Sequence, residues 1–278
     1  MKLRTIFAAL VAVSAGVVGT ANGQITSIEA TGWNQDMVLN NPSPYDQSVD
    51  GTMDGGFGSV ENWTWVEAGN YTVWNGTEGV ADTPIQGLVA GTHTSLTGSG
   101  GSFTFQAFDG PNVIGIDGGS PTGSLSLTTP DSYSTLALYG ASGGGPTSVD
   151  VMLTFDDLTT STYSIAAGTG IGTDWFDFDG SADKAYAVNG RASNKSEEGY
   201  TILFAEENNI ISLYESLITL DSADASKTIT DVSFTHTGGG RMSIFAISGA
   251  VSAVPEPGSA LVLGLGLIGV AAARRRRR

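Results

Sequence analysis

Four aspartates, Asp174, Asp177, Asp179 and Asp183, fall within ten residues around Gly180. Carboxylate oxygens at that density suit a Ca²⁺ ion, which collects about six to eight oxygen ligands from a tight turn. The spacing departs from a calcium loop, which places ligands at alternate positions and ends on a glutamate. A solvated acidic loop is the plainer reading of the same residues. Calcium at Asp174, Asp177 and Asp179 is therefore the one candidate cofactor, and no other is expected. Aromatic rings make a second constellation. Trp63 and Trp65 bracket Thr64, so an extended strand puts both rings on one face, with Tyr71 and Trp74 close behind. Exposed rings of this kind stack on sugar faces while polar neighbours bond the hydroxyls, which makes Trp63, Trp65 and Trp74 candidate glycan-binding residues. Core packing is the competing use of aromatics at that spacing.

Acid–base chemistry has little to work with. The only histidines are His93 and His236, and neither lies in a nucleophile motif. A zinc site would need carboxylates that the spacing does not reveal. Glycoside hydrolysis needs two carboxylates at a set separation in space. No catalytic residue is expected and the chain reads as a non-enzyme; a glycan-active hydrolase on the same scaffold is the alternative.

The elements that must position these residues read as strands. Glycine is abundant, at 39 residues, and clusters with Ser, Thr, Asp and Asn in runs such as Gly98–Gly101, Gly118–Pro121 and Gly143–Pro146. Between the runs, hydrophobicity alternates with period two. Phe103, Phe105 and Ala107 oppose Thr104 and Gln106; Val149, Val151, Leu153 and Phe155 oppose Asp150, Met152 and Thr154. Tyr200–Ala205 looks buried on both faces. Further strands are expected at Ser124–Thr128, Ser134–Tyr139, Ile210–Tyr214, Leu217–Leu220, Ile229–Phe234 and Ser243–Ser248. No apolar stripe with helical period interrupts them. The expected fold is all-β, an antiparallel β-sandwich spanning residues 24–252.

Both ends of the chain read as addresses. Lys2 and Arg4 precede an apolar stretch from Ile6 to Val18 and a small-residue run to Gly23, the layout of a signal peptide over residues 1–23. With no cysteine, disulfides and a lipoprotein anchor are excluded. The chain carries a net charge of −16, but Gln24 to Ala253 alone holds 27 acidic against five basic residues, a net −22. Such a surface repels phosphate backbones, so no nucleic-acid partner is expected. Residues 253–278 run from Val254-Pro255-Glu256-Pro257 through an apolar segment, Ala260–Ala273, to the arginines Arg274, Arg275, Arg276, Arg277 and Arg278. As a helix the apolar segment with Gly258 and Ser259 spans about 24 Å, short for a bilayer core of about 30 Å but able to insert with local thinning. Terminal arginines do not cross, so they stop a transmembrane helix with the body outside.

That order of parts resembles the PEP-CTERM sorting signal, read by exosortase-type membrane transpeptidases. The resemblance implies that Val254, Pro255, Glu256 and Pro257 are the recognition motif and that the helix holds the precursor until cleavage. It also implies export through the Sec machinery, a membrane-anchored precursor, and a final place at the cell surface or outside it. Within the body, Tyr133–Gly140, Val151–Thr159, Asp174–Asp177, Lys227–Phe234 and Ile244–Gly249 resemble strands of the galactose-binding-like jelly roll. Asp157-Leu158 stands where that group more usually has Asp-Gly. The resemblance implies a structural or carbohydrate-binding module facing extracellular polysaccharide or matrix. An ice- or surface-binding protein is a further alternative; it requires a flat, regular threonine-rich face, and no recurrent Thr-x-Thr period is expected here.

Overall fold

A computed structural model of the protein describes residues 23–42, 45–46, 49–57, 62–74, 79–176, 184–197, 200–207 and 210–252. The signal segment up to residue 22, Asp177, Asp179 and the whole tail, with its recognition motif, apolar segment and arginines, lie outside the described residues. Regular structure within them is β-strand throughout, apart from two three-residue 3-10 turns, Gly170–Gly172 and Asp224–Ser226. The all-β, antiparallel expectation holds. No helix among the described residues is long and apolar enough to cross a membrane.

Two strands of 23 residues each, Tyr133–Phe155 and Ile229–Val251, dominate the fold and pair antiparallel along their whole length, from Tyr133 opposite Val251 to Phe155 opposite Ile229. Each changes character halfway. In Val149–Phe155 only alternate residues are buried, whereas 136–143 are buried on both faces, and the second strand switches in the same way between 229–235 and 242–250. The ladder slips at Gly143/Thr147, where Gly144, Gly145 and Gly239 take φ of 66°, 107° and 96°. These left-handed values suit glycine, which has no Cβ to clash. There the paired strands turn a corner, as strands do when passing from one layer to another.

On one side of the corner, Ser212–Thr219 pairs with the first long strand, while Thr26–Ser27 and Ile114–Ile116 pair with the second. On the other side Thr160–Ile165 flanks the first and Thr122–Asp131 the second, with Ala30–Thr31 outermost. The two halves face each other across one core. Leu136, Leu138, Ile244 and Ile247 from one half cluster with Val149, Val151, Leu153, Val232 and Phe234 from the other.

A third layer covers the back of the first half. Ala137, Tyr139, Phe245 and Ala246 point away from the first core into a second one, filled by Met37, Trp65, Phe103, Phe105 and Trp175. Phe245 reaches it through a bulge, since Tyr139 opposes Ala246 and Gly140 opposes Ile244. This layer includes the hairpin Gly91–Thr94/Ser102–Phe105 and the small sheet Val38–Leu39, Trp63–Val66, Gly190–Glu197, Tyr200–Glu207. Val38–Leu39 and Trp63–Val66 pair in parallel, an exception to the antiparallel rule.

Three pairs of expected strands fuse. Ser134–Tyr139 and Val149–Phe155 belong to one strand, as do Ile229–Phe234 and Ser243–Ser248. Their glycine runs bend a continuous ladder instead of ending it. Ile210–Tyr214 and Leu217–Leu220 likewise reduce to the single strand Ser212–Thr219, whose polar centre, Glu215-Ser216, is paired internally. The stretches that resemble a jelly roll's separate last two strands are therefore one strand here.

Candidate functional site

Trp63 and Trp65 do share a face, and that face is inward. Both pack on the second core, and Trp65 is 0% exposed, with its ring edge-on to Trp175 at 4.9 Å and Phe245 at 5.3 Å. Thr64 between them is also fully buried and donates its hydroxyl to the Met37 carbonyl at 2.8 Å. No sugar can stack on Trp65, which corrects the expected glycan platform. Trp63 is half-buried, and the Arg191 guanidinium lies over its ring at 4.2 Å while standing 4.2 Å from the Phe176 ring. Arg191 also pairs with Glu206 at 2.6 Å and with Asp54 at 3.7 Å, and Trp175 Nε1 donates to Asp54 at 3.2 Å. Burial raises the Asp54 carboxyl above its ordinary range, and Arg191 pulls it back. This stacked cation closes off the Trp63 ring face. Trp74 sits half-buried at the end of strand Gly69–Trp74, opposite Gly79.

Asp174 is engaged by backbone: its two oxygens accept the Gly145 N–H at 2.7 Å and the Phe176 N–H at 2.9 Å. Its expected partners Asp177 and Asp179 lie outside the described residues. Among the described residues no three acidic or histidine side chains converge on a point where a metal ion would sit. The histidines are occupied too. His93 donates from Nε2 to the Val89 carbonyl at 2.7 Å within a nest of Phe103, Phe105 and Tyr186 rings. His236 donates to the Gly240 carbonyl at 2.9 Å.

Two concavities stand out that no motif announced. The first, of about 450 Å³, lies between the hairpin loop at Thr97–Ser99, Gly168–Gly170 and the strand carrying Tyr214, Glu215 and Leu217. One oxygen of Glu215 accepts three hydroxyls, from Ser95 at 2.7 Å, Ser99 at 2.8 Å, and Thr97. The same hydroxyls accept the N–H groups of residues 97, 99 and 101. Each serine or threonine thus turns the loop locally and donates to one shared carboxylate. The alternation Ser95-x-Thr97-x-Ser99 is the trace this leaves in sequence, legible only once Glu215 is known to lie beneath it. The carboxylate's Oε2 fastens the loop, while its Oε1 is buried without a hydrogen-bond partner among the described residues.

The second concavity is a groove of about 480 Å³ between Ser27–Ala30, the edge of the Gly91–Thr94/Ser102–Phe105 hairpin, and Thr128. Its floor is the buried Phe105 with Ile28 and Ala30; its walls carry Glu29, Thr92, Thr104, Gln106 and Thr128. Thr92 and Thr104 share a hydroxyl–hydroxyl bond of 2.9 Å. The Glu29 carboxylate is exposed. An apolar floor under hydrogen-bonding groups that are neutral apart from the Glu29 carboxylate, with no cationic group in the lining, suits a polar ligand without negative charge.

Compared with known proteins, residues 253–278 match the PEP-CTERM protein-sorting motif. Such motifs are recognised by exosortase, a membrane enzyme, and mark a secreted, membrane-anchored precursor that is processed for export. No curated protein matches the chain.

Proposed function

We propose that the protein is a non-catalytic surface or matrix component, delivered by exosortase processing of its tail, whose β body contacts extracellular polysaccharide. The observation that carries the sorting half is the motif at 253–278. Within it Val254–Pro257 is the segment read by the transpeptidase, the apolar run is the temporary anchor, and the five arginines keep the end cytoplasmic. For the body, the layered antiparallel strands support a binding module of sandwich type, in line with the jelly-roll resemblance. Both histidines are tied to backbone carbonyls, which supports a non-enzymatic role.

The test is the mass of the mature C-terminus and the location of the protein in its host, with and without a working exosortase. Loss of the tail in the first case and membrane-held full-length precursor in the second are the expected results. A full-length, intact chain that is soluble inside the cell would sink the reading. Release of reducing sugar from a glycan panel would overturn the non-enzymatic part.

A further inference from the structure

The outward face of the second half-sheet is a net of hydroxyls. One row crosses five strands through Thr31, Ser126, Asp231, Thr154 and Thr160, each the direct cross-strand neighbour of the next. The row beside it runs Ser124, Ser233, Met152, Thr162, and the third runs Thr122, Thr235, Asp150, Ser164. All are exposed or half-exposed. Neighbouring strands lie about 4.8 Å apart and alternate residues about 6.8 Å along a strand, so the hydroxyls form a regular two-dimensional array. The array is assembled by cross-strand pairing and mixes serine with threonine, so it is not a Thr-x-Thr period along the chain. Thr128, next on the same face of its strand, lines the Glu29–Gln106 groove, so net and groove are continuous.

We infer that this face and groove together bind an extended neutral polysaccharide chain. The inference rests on the glycan-contacting reading of the body and assigns its site and ligand class. The three rows contain no lysine, arginine, histidine or aromatic side chain. Without positive charge, and with Asp150, Asp231 and Glu29 present, the face repels polyanions, including acidic polysaccharides. Without rings it does not hold sugars by stacking, so the contact is many hydrogen bonds over a wide area. Protein partners need an apolar centre, and Met152 is the one apolar residue in the rows. Ordered ice is disfavoured because the carboxylates keep their own hydration; Asp231 and Asp150 are held upright by Ser126 at 2.6 Å and Ser164 at 2.5 Å. A flexible neutral polyol chain matches donors and acceptors of either sense and leaves the apolar groove floor to its ring carbons.

The experiment uses the mature protein from its host, sedimented with an insoluble neutral glucan, with an acidic polysaccharide, and with ice. The variant Thr31→Val/Gln106→Ala/Thr128→Val removes three hydrogen-bonding groups with little change in volume at the threonines. It is expected to weaken retention on the neutral polymer about tenfold or more while melting as the wild type does. Ser233→Lys, which adds a cation at the centre of the net, is expected to create retention on the acidic polymer that the wild type lacks. Wild-type retention with no loss in the triple variant overturns this site alone. Wild type that sediments only with ice, or prefers the acidic polymer, overturns the ligand class. Wild type retained on no polysaccharide removes the glycan reading of the body together with this inference.

Discussion

At the residue scale, Leu158 and Asp36 depart from ordinary preferences. Leu158 takes φ of 65° and is 86% exposed, in the turn closing Thr160–Ile165 onto the first long strand. Its backbone takes a left-handed conformation that ordinarily suits glycine. Asp36 is the second. It is 7% exposed and accepts from Asn112 at 2.6 Å and from the Val38 N–H at 3.3 Å. Burial pushes its carboxyl up to about 6, with Asn112 and Val38 opposing and Asp50 and Asp109 adding to the rise. An unfolded aspartate titrates near 4. The folded state therefore holds this proton more tightly than the unfolded one, and the associated stability is complete below pH about 4. It falls away as pH rises to about 6 and is gone above that, a loss of about 3 kcal/mol from this one group. Asp36→Asn keeps the acceptor without the charge. Thermal melts between pH 4 and 7 should show the wild type losing that increment and the variant not, with the variant the more stable at pH 7. Identical pH slopes would dismiss the assignment.

At the element scale, the decisive features are the two corners. In sequence, Gly143–Pro146 and Gly238–Gly240 look like turn punctuation because glycine runs end strands far more often than they bend them. Period-two alternation located Val149–Phe155 correctly and Phe103–Ala107 in part: Phe103 and Phe105 are buried on a strand that ends at Phe105, and Ala107 beyond it is exposed. It says nothing about whether two such segments are one strand, because a corner preserves the ladder and changes only which layer the strand faces. The same limit hid Glu215. A carboxylate in mid-strand reads as a break unless the three hydroxyls that bond its Oε2, more than a hundred residues earlier in the chain, are known. Trp65 failed as a ligand residue for a related reason: alternation shows that two rings share a face and not whether another layer covers it. The corner is testable at Gly239, whose φ of 96° is strained for any other residue and whose added Cβ would press into the Pro146 carbonyl. Gly239→Ala should destabilise the body by about 2–4 kcal/mol in denaturant melts. A cost under about 0.5 kcal/mol would mean that the strands do not turn there.

For the whole molecule, the first and last described stretches of the body lie side by side. Thr26 and Ser27 pair with Gly249 and Ser248, and Ile28 donates to the Ile247 carbonyl at 3.0 Å. Gly23 lies against Val251. A precursor held by its tail is thus tethered at the edge of the body where Gly23 lies. The body also closes on itself just before the tail begins. Val251 opposes Tyr133, the Ser252 N–H donates to the Ser132 carbonyl at 2.8 Å, and its hydroxyl to the Ala225 carbonyl at 2.6 Å. Among the described residues the last strand's ladders end at Val251, opposite Tyr133. A chain stopped after Ser252 should melt within about 2 °C of the full-length protein, since a change below about 1 kcal/mol moves a domain of this size by no more than a few degrees. A chain stopped after Ile247 loses Ser248–Val251, with it the partner of Thr26–Ser27 and the buried Ala250, and should be destabilised by about 3 kcal/mol or more. Should the stop at Ser252 cost as much as the stop at Ile247, the tail would be part of the folded body, and its removal during export could not leave that body intact.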